Sequence, residues 1–178
     1  AGSVRPSEGR VRIGGKDADR NPEGVRRQVG IVGHRPFLYG ELTVRENLRF
    51  YGGLYGIPNP SLRVEAMLEQ VGLRYAAELP ARTLSQGMAQ RLSIARALLH
   101  DPPVLLLDEP FSGMDAQGRA LLDELLREGE RTVLMATHDL HSGIQQAGQV
   151  LVLVQGRPRY LGPPQDPEEL WRLCGEDA

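Results

Sequence analysis

The stretch Val104-Leu105-Leu106-Leu107-Asp108-Glu109-Pro110 decides how the rest of the chain is read. An unbroken run of Val and Leu ending in two carboxylates reads as a strand covered on both faces, delivering Asp108 and Glu109 to its exit. Outward from it, a helix is expected from about Gln86 to His100 on one side and another from Ala116 to Arg127 on the other. The alternation continues with a strand Thr132 to Ala136, a short helix near Leu140 to Gln146, and a strand Val150 to Val154 with a turn at Gln155-Gly156. Strands of this composition separated by helices imply a parallel α/β sheet. In such sheets chemistry gathers beyond the carboxyl ends of the strands.

Further upstream the texture differs. Val11 to Ile13 and Val29 to Val32 read as short strands. Thr43-Val44-Arg45-Glu46 offers a capping box, with Leu48, Tyr51 and Tyr55 following at helical spacing. Gly56-Ile57-Pro58-Asn59-Pro60 stops that helix, Ser61 is available to cap a second one carrying Val64, Met67, Leu68 and Val71, and Gly72 suits its end. The organisation expected is therefore 1–42 as core, 43–80 as a helical insert, 81–162 as the main core, and 163–178 as a tail of surface loop and small helix.

Composition bounds the possibilities. The 178 residues carry 21 Lys+Arg against 23 Asp+Glu, a net charge of −2, which disfavours a general nucleic-acid binder. Cys174 is the single cysteine, so neither an internal disulfide framework nor a cysteine metal cluster is available, and a reducing compartment fits. No apolar run approaches the roughly 20 residues of a membrane span, so a membrane role would be peripheral.

Four sites can carry chemistry, and each has a plain structural alternative. Asp108 and Glu109 either end a strand as ordinary polar residues, or divide labour, one facing a cation and the other a nucleophile. Ser85 in Leu84-Ser85-Gln86-Gly87-Met88 is a good N-cap; the same hydroxyl, the side-chain-free Gly87 and the free N–H groups of a helix start also make an anion cradle. His138 in Thr137-His138-Asp139 is either a surface histidine or a hydrogen-bonding partner for a terminal phosphate or its attacking water. Asp115 in Ser112-Gly113-Met114-Asp115 caps the following helix whatever else it does.

Taken in order, these four motifs closely resemble the nucleotide-binding subunit of ABC transporters. The resemblance covers nearly the whole chain and implies a P-loop NTPase-like parallel sheet core with a helical subdomain. It also implies ATP and Mg²⁺, with Asp108 helping to hold the metal, Glu109 polarising the attacking water and His138 as the switch histidine. Ser85, Gln86, Gly87 and Met88 would face the γ-phosphate of ATP bound by a partner subunit, and Asp115 would cross the dimer interface. Partners would be a second ATP-binding subunit and transmembrane subunits, with the chain cytoplasmic and peripheral on the inner face of the membrane.

Several positions depart from the family pattern. Gln86 and Met88 replace the usual glycine and glutamine of the signature, and His34 stands where a loop glutamine is common; its imidazole either offers nitrogen to metal-bound water or is a plain loop residue. No G-x-x-x-x-G-K-[ST] phosphate loop occurs: Gly15-Lys16 contains the only lysine, Asp17 follows it, and Arg10 takes the place of the first glycine. Truncation, with the N-terminal strands and phosphate-loop helix missing, is the preferred account, because Asp108, Glu109 and His138 would serve nucleotide held by their own subunit. The expectation is that the chain alone is inactive and leaves an apolar face exposed where those elements dock. The compact span between His34 and Ser85 favours a transporter over a soluble ABC ATPase of translation or repair. A non-hydrolytic regulatory module using only its signature face is the remaining alternative. Residues 33–43 with Glu46-Asn47-Leu48 resemble the haem-exporter, cytochrome c biogenesis type.

Overall fold

A computed structural model describes residues 4–33, 36–145 and 147–175. The chain forms two compact units, residues 1–136 and 137–178. The first contains strands β1 (Arg12–Ile13), β2 (Lys16–Asp17), β3 (Val29–Val32), β4 (Val104–Asp108) and β5 (Thr132–Ala136), with helices α1 (Pro22–Arg26), α2 (Val44–Leu54), α3 (Pro60–Gln70), α4 (Gln86–Leu98) and α5 (Ala116–Arg127). The second contains α6 (Leu140–Ile144), β6 (Val150–Val154), β7 (Arg157–Gly162) and α7 (Pro167–Gly175).

Strands β3, β4 and β5 form a parallel sheet in that order, with Ile31 beside Leu106 and Leu106 beside Leu134. Parallel neighbours require a long return path, and here the whole helical segment from α2 to α4 supplies it between β3 and β4. Gly30 lets α4 approach β3 closely: a Cβ there would stand 2.5 Å from the Ala97 carbonyl oxygen. Coverage of the sheet is one-sided, contrary to the expectation of strands covered on both faces. Leu105 and Leu107 are buried in the main core, whereas Leu106 is only partly covered and Leu134 is 64% exposed. The reason is that the helices packing on β3 and β4 gather on the face of Leu105 and Leu107. The opposite face carries exposed aliphatic surface, with Leu134 its most open side chain.

The helical segment forms as its local chemistry dictates. Thr43 accepts a hydrogen bond from the Glu46 N–H while the Glu46 carboxylate accepts one from the Thr43 N–H, a complete capping box. Those bonds hold the Glu46 carboxyl below the ordinary carboxylate range. Helix α3 starts earlier than a Ser61 cap would place it. Pro60 is its first residue and Asn59, with φ +45°, precedes it without a side-chain cap. Proline is pre-set for the first helical position and lacks the N–H that a cap would satisfy, so it takes over from Ser61. Gly72, at φ +62°, ends the helix in the left-handed conformation that glycine adopts without steric cost. Val44, Leu48, Val64, Leu68, Leu73 and Leu92 then interlock with no exposed surface.

In the second unit Val150–Val154 is a strand, but among the described residues it pairs antiparallel with β7, so it does not extend the parallel sheet. Gln155 and Gly156 both have positive φ (49° and 77°), the requirement of a tight two-residue hairpin. Helix α7 follows the proline-rich tail. Among the described residues no helix is long and apolar enough to cross a membrane.

Candidate nucleotide site

Strand β4 ends at Asp108, whose Cα is paired with that of Ala136. Asp108 is exposed and Glu109 half-buried. Glu109 turns through φ +49°, in the left-handed region, while its N–H donates to the Ala136 carbonyl at 2.9 Å. A non-glycine residue in that region costs about 1–3 kcal/mol and persists only where its surroundings fix it. Here they do. The Ser112 N–H donates back to the Glu109 carbonyl at 3.1 Å, the Met114 N–H to the Phe111 carbonyl at 3.2 Å, and Pro110 and Phe111 are buried. The break in backbone conformation separates the environments of two carboxylates that are adjacent in sequence.

Beside this turn lies the start of α4. Ser85 is its N-cap, with Oγ accepting from the Met88 N–H at 3.3 Å, and it is exposed. Gln90, one turn on, donates from Nε2 to the Pro110 carbonyl at 3.1 Å. A Cβ on Gly87 would stand 3.1 Å from the Gly113 carbonyl oxygen, and one on Gly113, itself at φ +72°, would stand 2.5 Å from Gln86 Cδ. The first turn of α4 and the 109–115 loop are therefore one packed assembly, tight at Gly87, while Gly113 is favoured by its left-handed backbone. Gln86 is exposed, while the half-buried Met88 packs on the main core. Asp115 caps α5 by accepting from the Gly118 N–H at 2.8 Å, leaving its side of the loop exposed.

Loop 36–42 is tied to α2. Asn47, fully buried, accepts from the Tyr39 N–H and donates to the Tyr39, Leu42 and Thr43 carbonyls. Read from sequence, Asn47 is only part of a family-like stretch, and no role is assigned to Gln90 or the buried Arg96; for Asn47 and Arg96 the available signal was a polar residue at a buried helix position. His34 lies outside the described residues. His138 is exposed in the second unit, two residues past the last residue of β5, and the Asp139 N–H donates to Thr137 Oγ1 at 3.0 Å.

The residues present fit a phosphate–magnesium group in a specific way. Magnesium keeps a small share of carboxylate ligands and takes the rest from phosphate and water. The exposed Asp108 at the strand exit can serve as such a ligand, and among the described residues no group of three His, Cys, Asp or Glu gathers to hold a metal unaided. The start of α4 presents N–H groups at the positive end of a 13-residue helix, with no side chain on Gly87.

A three-stranded parallel sheet with helices returning between its strands defines an α/β domain, here with an acidic strand exit packed beside a capped helix start. The chain belongs to the ABC transporter family, whose profile matches residues 1–112, and its place there is that of an ATP-binding domain. It is 38% identical over 168 residues to the mouse retinal-specific phospholipid-transporting ATPase ABCA4, covering 92% of this chain and 7% of that protein. It is 34% identical to the Nod factor export ATP-binding protein I of Ralstonia nicotianae, covering 93% of this chain and 53% of that protein. A solved structure of the ATP-binding subunit of an ABC transporter superposes with a TM-score of 0.84 at 29% identity, over 97% of this chain and 74% of that one. The chain thus spans about half the length of the Nod factor export protein and a small part of ABCA4.

Proposed function

We propose that the chain is the ATP-binding part of an ABC transporter and couples ATP binding and hydrolysis, at an interface with a second ATP-binding subunit, to transport through membrane-spanning partners. The observation that carries this is the exit of β4, where Asp108 and the left-handed Glu109 are held in different environments beside the start of α4. Asp108 would hold Mg²⁺, which when bound neutralises charge on the phosphate oxygens. Glu109 would orient and polarise the water that attacks the γ-phosphorus, with ADP as leaving group. His138 would hydrogen-bond the terminal phosphate, and His34 would take the polar role of the loop glutamine. Ser85, with the backbone of Gln86, Gly87 and Met88, would grip the phosphate of nucleotide held by the partner subunit, and Asp115 would reach across that interface.

The protein would sit in the cytoplasm, peripheral on the inner face of the membrane, with no nucleic-acid partner. The 178 residues contain no G-x-x-x-x-G-K-[ST] motif, so by themselves they would hydrolyse ATP negligibly. Within this reading, residues 33–43 with Glu46-Asn47-Leu48 resemble the haem-exporter type, a likeness in one loop that does not define the cargo. The experiment is ATP hydrolysis by the full-length protein assembled with its membrane partner, wild type against Glu109→Gln. Turnover should fall by about 10²–10⁴-fold while the melting temperature stays put. Unchanged turnover would remove Glu109 from the role.

A further inference from the structure

Arg96 stands near the C-terminal end of α4, the helix capped by Ser85, and is 5% exposed. A guanidinium keeps its charge at every accessible pH, so its burial calls for compensation. Among the described residues no carboxylate lies within ion-pair distance of it. Compensation comes instead from three elements. Nη2 donates to the Ile31 carbonyl of β3 at 2.5 Å, and the guanidinium carbon lies 5.6 Å from the centroid of the Phe37 ring and 5.2 Å from that of Tyr51 on α2. Nε has no hydrogen-bond partner among the described residues.

The loop end of this arrangement is strained. Phe37 has φ +52°, a conformation that a bulky side chain adopts only under constraint, and at 55% exposure its ring is not held there by burial. Against it lie the guanidinium over its ring and the Tyr51 hydroxyl, which donates to the Phe37 carbonyl at 2.5 Å. A carbonyl bond and two aromatic faces release a cation far more readily than a buried carboxylate would. The joint is therefore both specific and breakable.

We propose that Arg96 is a positioning residue that locks Phe37, at the start of loop 36–42, to the signature helix α4, so that displacing α4 from the exit of β3 frees Phe37 while Asn47 keeps the Tyr39 and Leu42 carbonyls on α2. The lock itself rests on geometry alone; that it transmits the nucleotide state rests on the function proposed above. The test is amide hydrogen exchange on the full-length protein without nucleotide. Arg96→Lys keeps the charge and loses the planar fork; Phe37→Leu removes the ring from the loop side and leaves the buried site untouched. In each variant, exchange of the Tyr39 amide, the hydrogen-bonded N–H nearest Phe37 in the loop, should rise about tenfold, with α3 and α5 unchanged and the double variant no faster than either single one. Wild-type protection of Tyr39 in Phe37→Leu would overturn the lock, as would a rise in Arg96→Lys that spreads equally to α3 and α5. If Arg96→Lys does not fold, Phe37→Leu decides alone. With Mg·ATP added, slowed exchange at Ser85 to Met88 that no longer reaches Tyr39 in Arg96→Lys supports transmission, and slowing at both overturns it. No nucleotide effect in the wild type would sink the proposed function, while the nucleotide-free comparison still tests the lock by itself.

Discussion

Helices α2 and α3 bury Leu48 and Leu68 completely, whereas just past β4 the chain leaves Asp108, Ser112 and Asp115 exposed and bends Glu109 and Gly113 through positive φ. The two regions share one compact unit and obey different rules. In the helical segment side chains are fixed by volume, and a lost methyl group leaves a void. In the 108–115 turn they are fixed by backbone conformation and by what they present to solvent. Stability and turnover should therefore answer to different substitutions.

The sharpest separation is the Glu109→Gln loss of hydrolysis described above, because the substitution keeps side-chain shape and removes only the carboxylate charge. Its mirror image is Leu68→Ala, which should cost about 2–5 kcal/mol, lowering the melting temperature by roughly 5–15 °C in thermal denaturation. A loss well under 1 kcal/mol would mean that the helical segment is less tightly packed than its burial implies. Intermediate in size is Gly113→Ala, where a Cβ enters both a left-handed backbone and the space of the Gln86 side chain. It should cost about 1–2 kcal/mol by denaturant titration. Adding Gln86→Gly should recover only part of that, since the backbone cost remains; full recovery would show that crowding alone sets it.

The smallest effect concerns His100, half-buried and stacked on Tyr55 at 3.9 Å, with neither ring nitrogen hydrogen-bonded among the described residues. Burial pushes its imidazole below the ordinary 6.5, reinforced by the Arg96 charge. A histidine whose proton is bound less tightly in the folded state than in the unfolded one contributes full stability above 6.5. That contribution is lost progressively as the pH falls below it. Denaturation midpoints should drop modestly between neutral pH and about pH 5, and His100→Phe, which keeps the stack, should flatten the slope. An unaltered slope would place the titration elsewhere.

How much of this was legible in the residues follows from the range of the interactions. Thr43 and Glu46, Ser85, Asp115 and the strands at 29–32 and 132–136 are set by neighbours a few positions away, and each is found where its local pattern put it. Pro60 displaced Ser61 because two local signals competed and ring geometry won. Strand β7 was missed because Arg157-Pro158-Arg159 has no strand-like alternation and gains its conformation from pairing with β6. At the candidate site, the placement of Asp108, Glu109 and Ser85 at element ends was legible. The left-handed turn at Glu109 was not, since it depends on the Ala136 carbonyl and on a loop closed by Phe111 and Met114. Arg96 was hidden for the same reason: its partners Ile31, Phe37 and Tyr51 are distant in sequence.

The one-sided cover of the sheet has a practical side. Leu134, with Leu106 and Ile31 beside it in register, offers a flat aliphatic surface next to the edge of β5, which is unpaired among the described residues. Such a surface attracts other chains and greasy probes alike. The natively folded 178 residues should light up an environment-sensitive dye that ordinary well-covered domains leave dark, and a mild detergent in the purification buffer should compete that glow away.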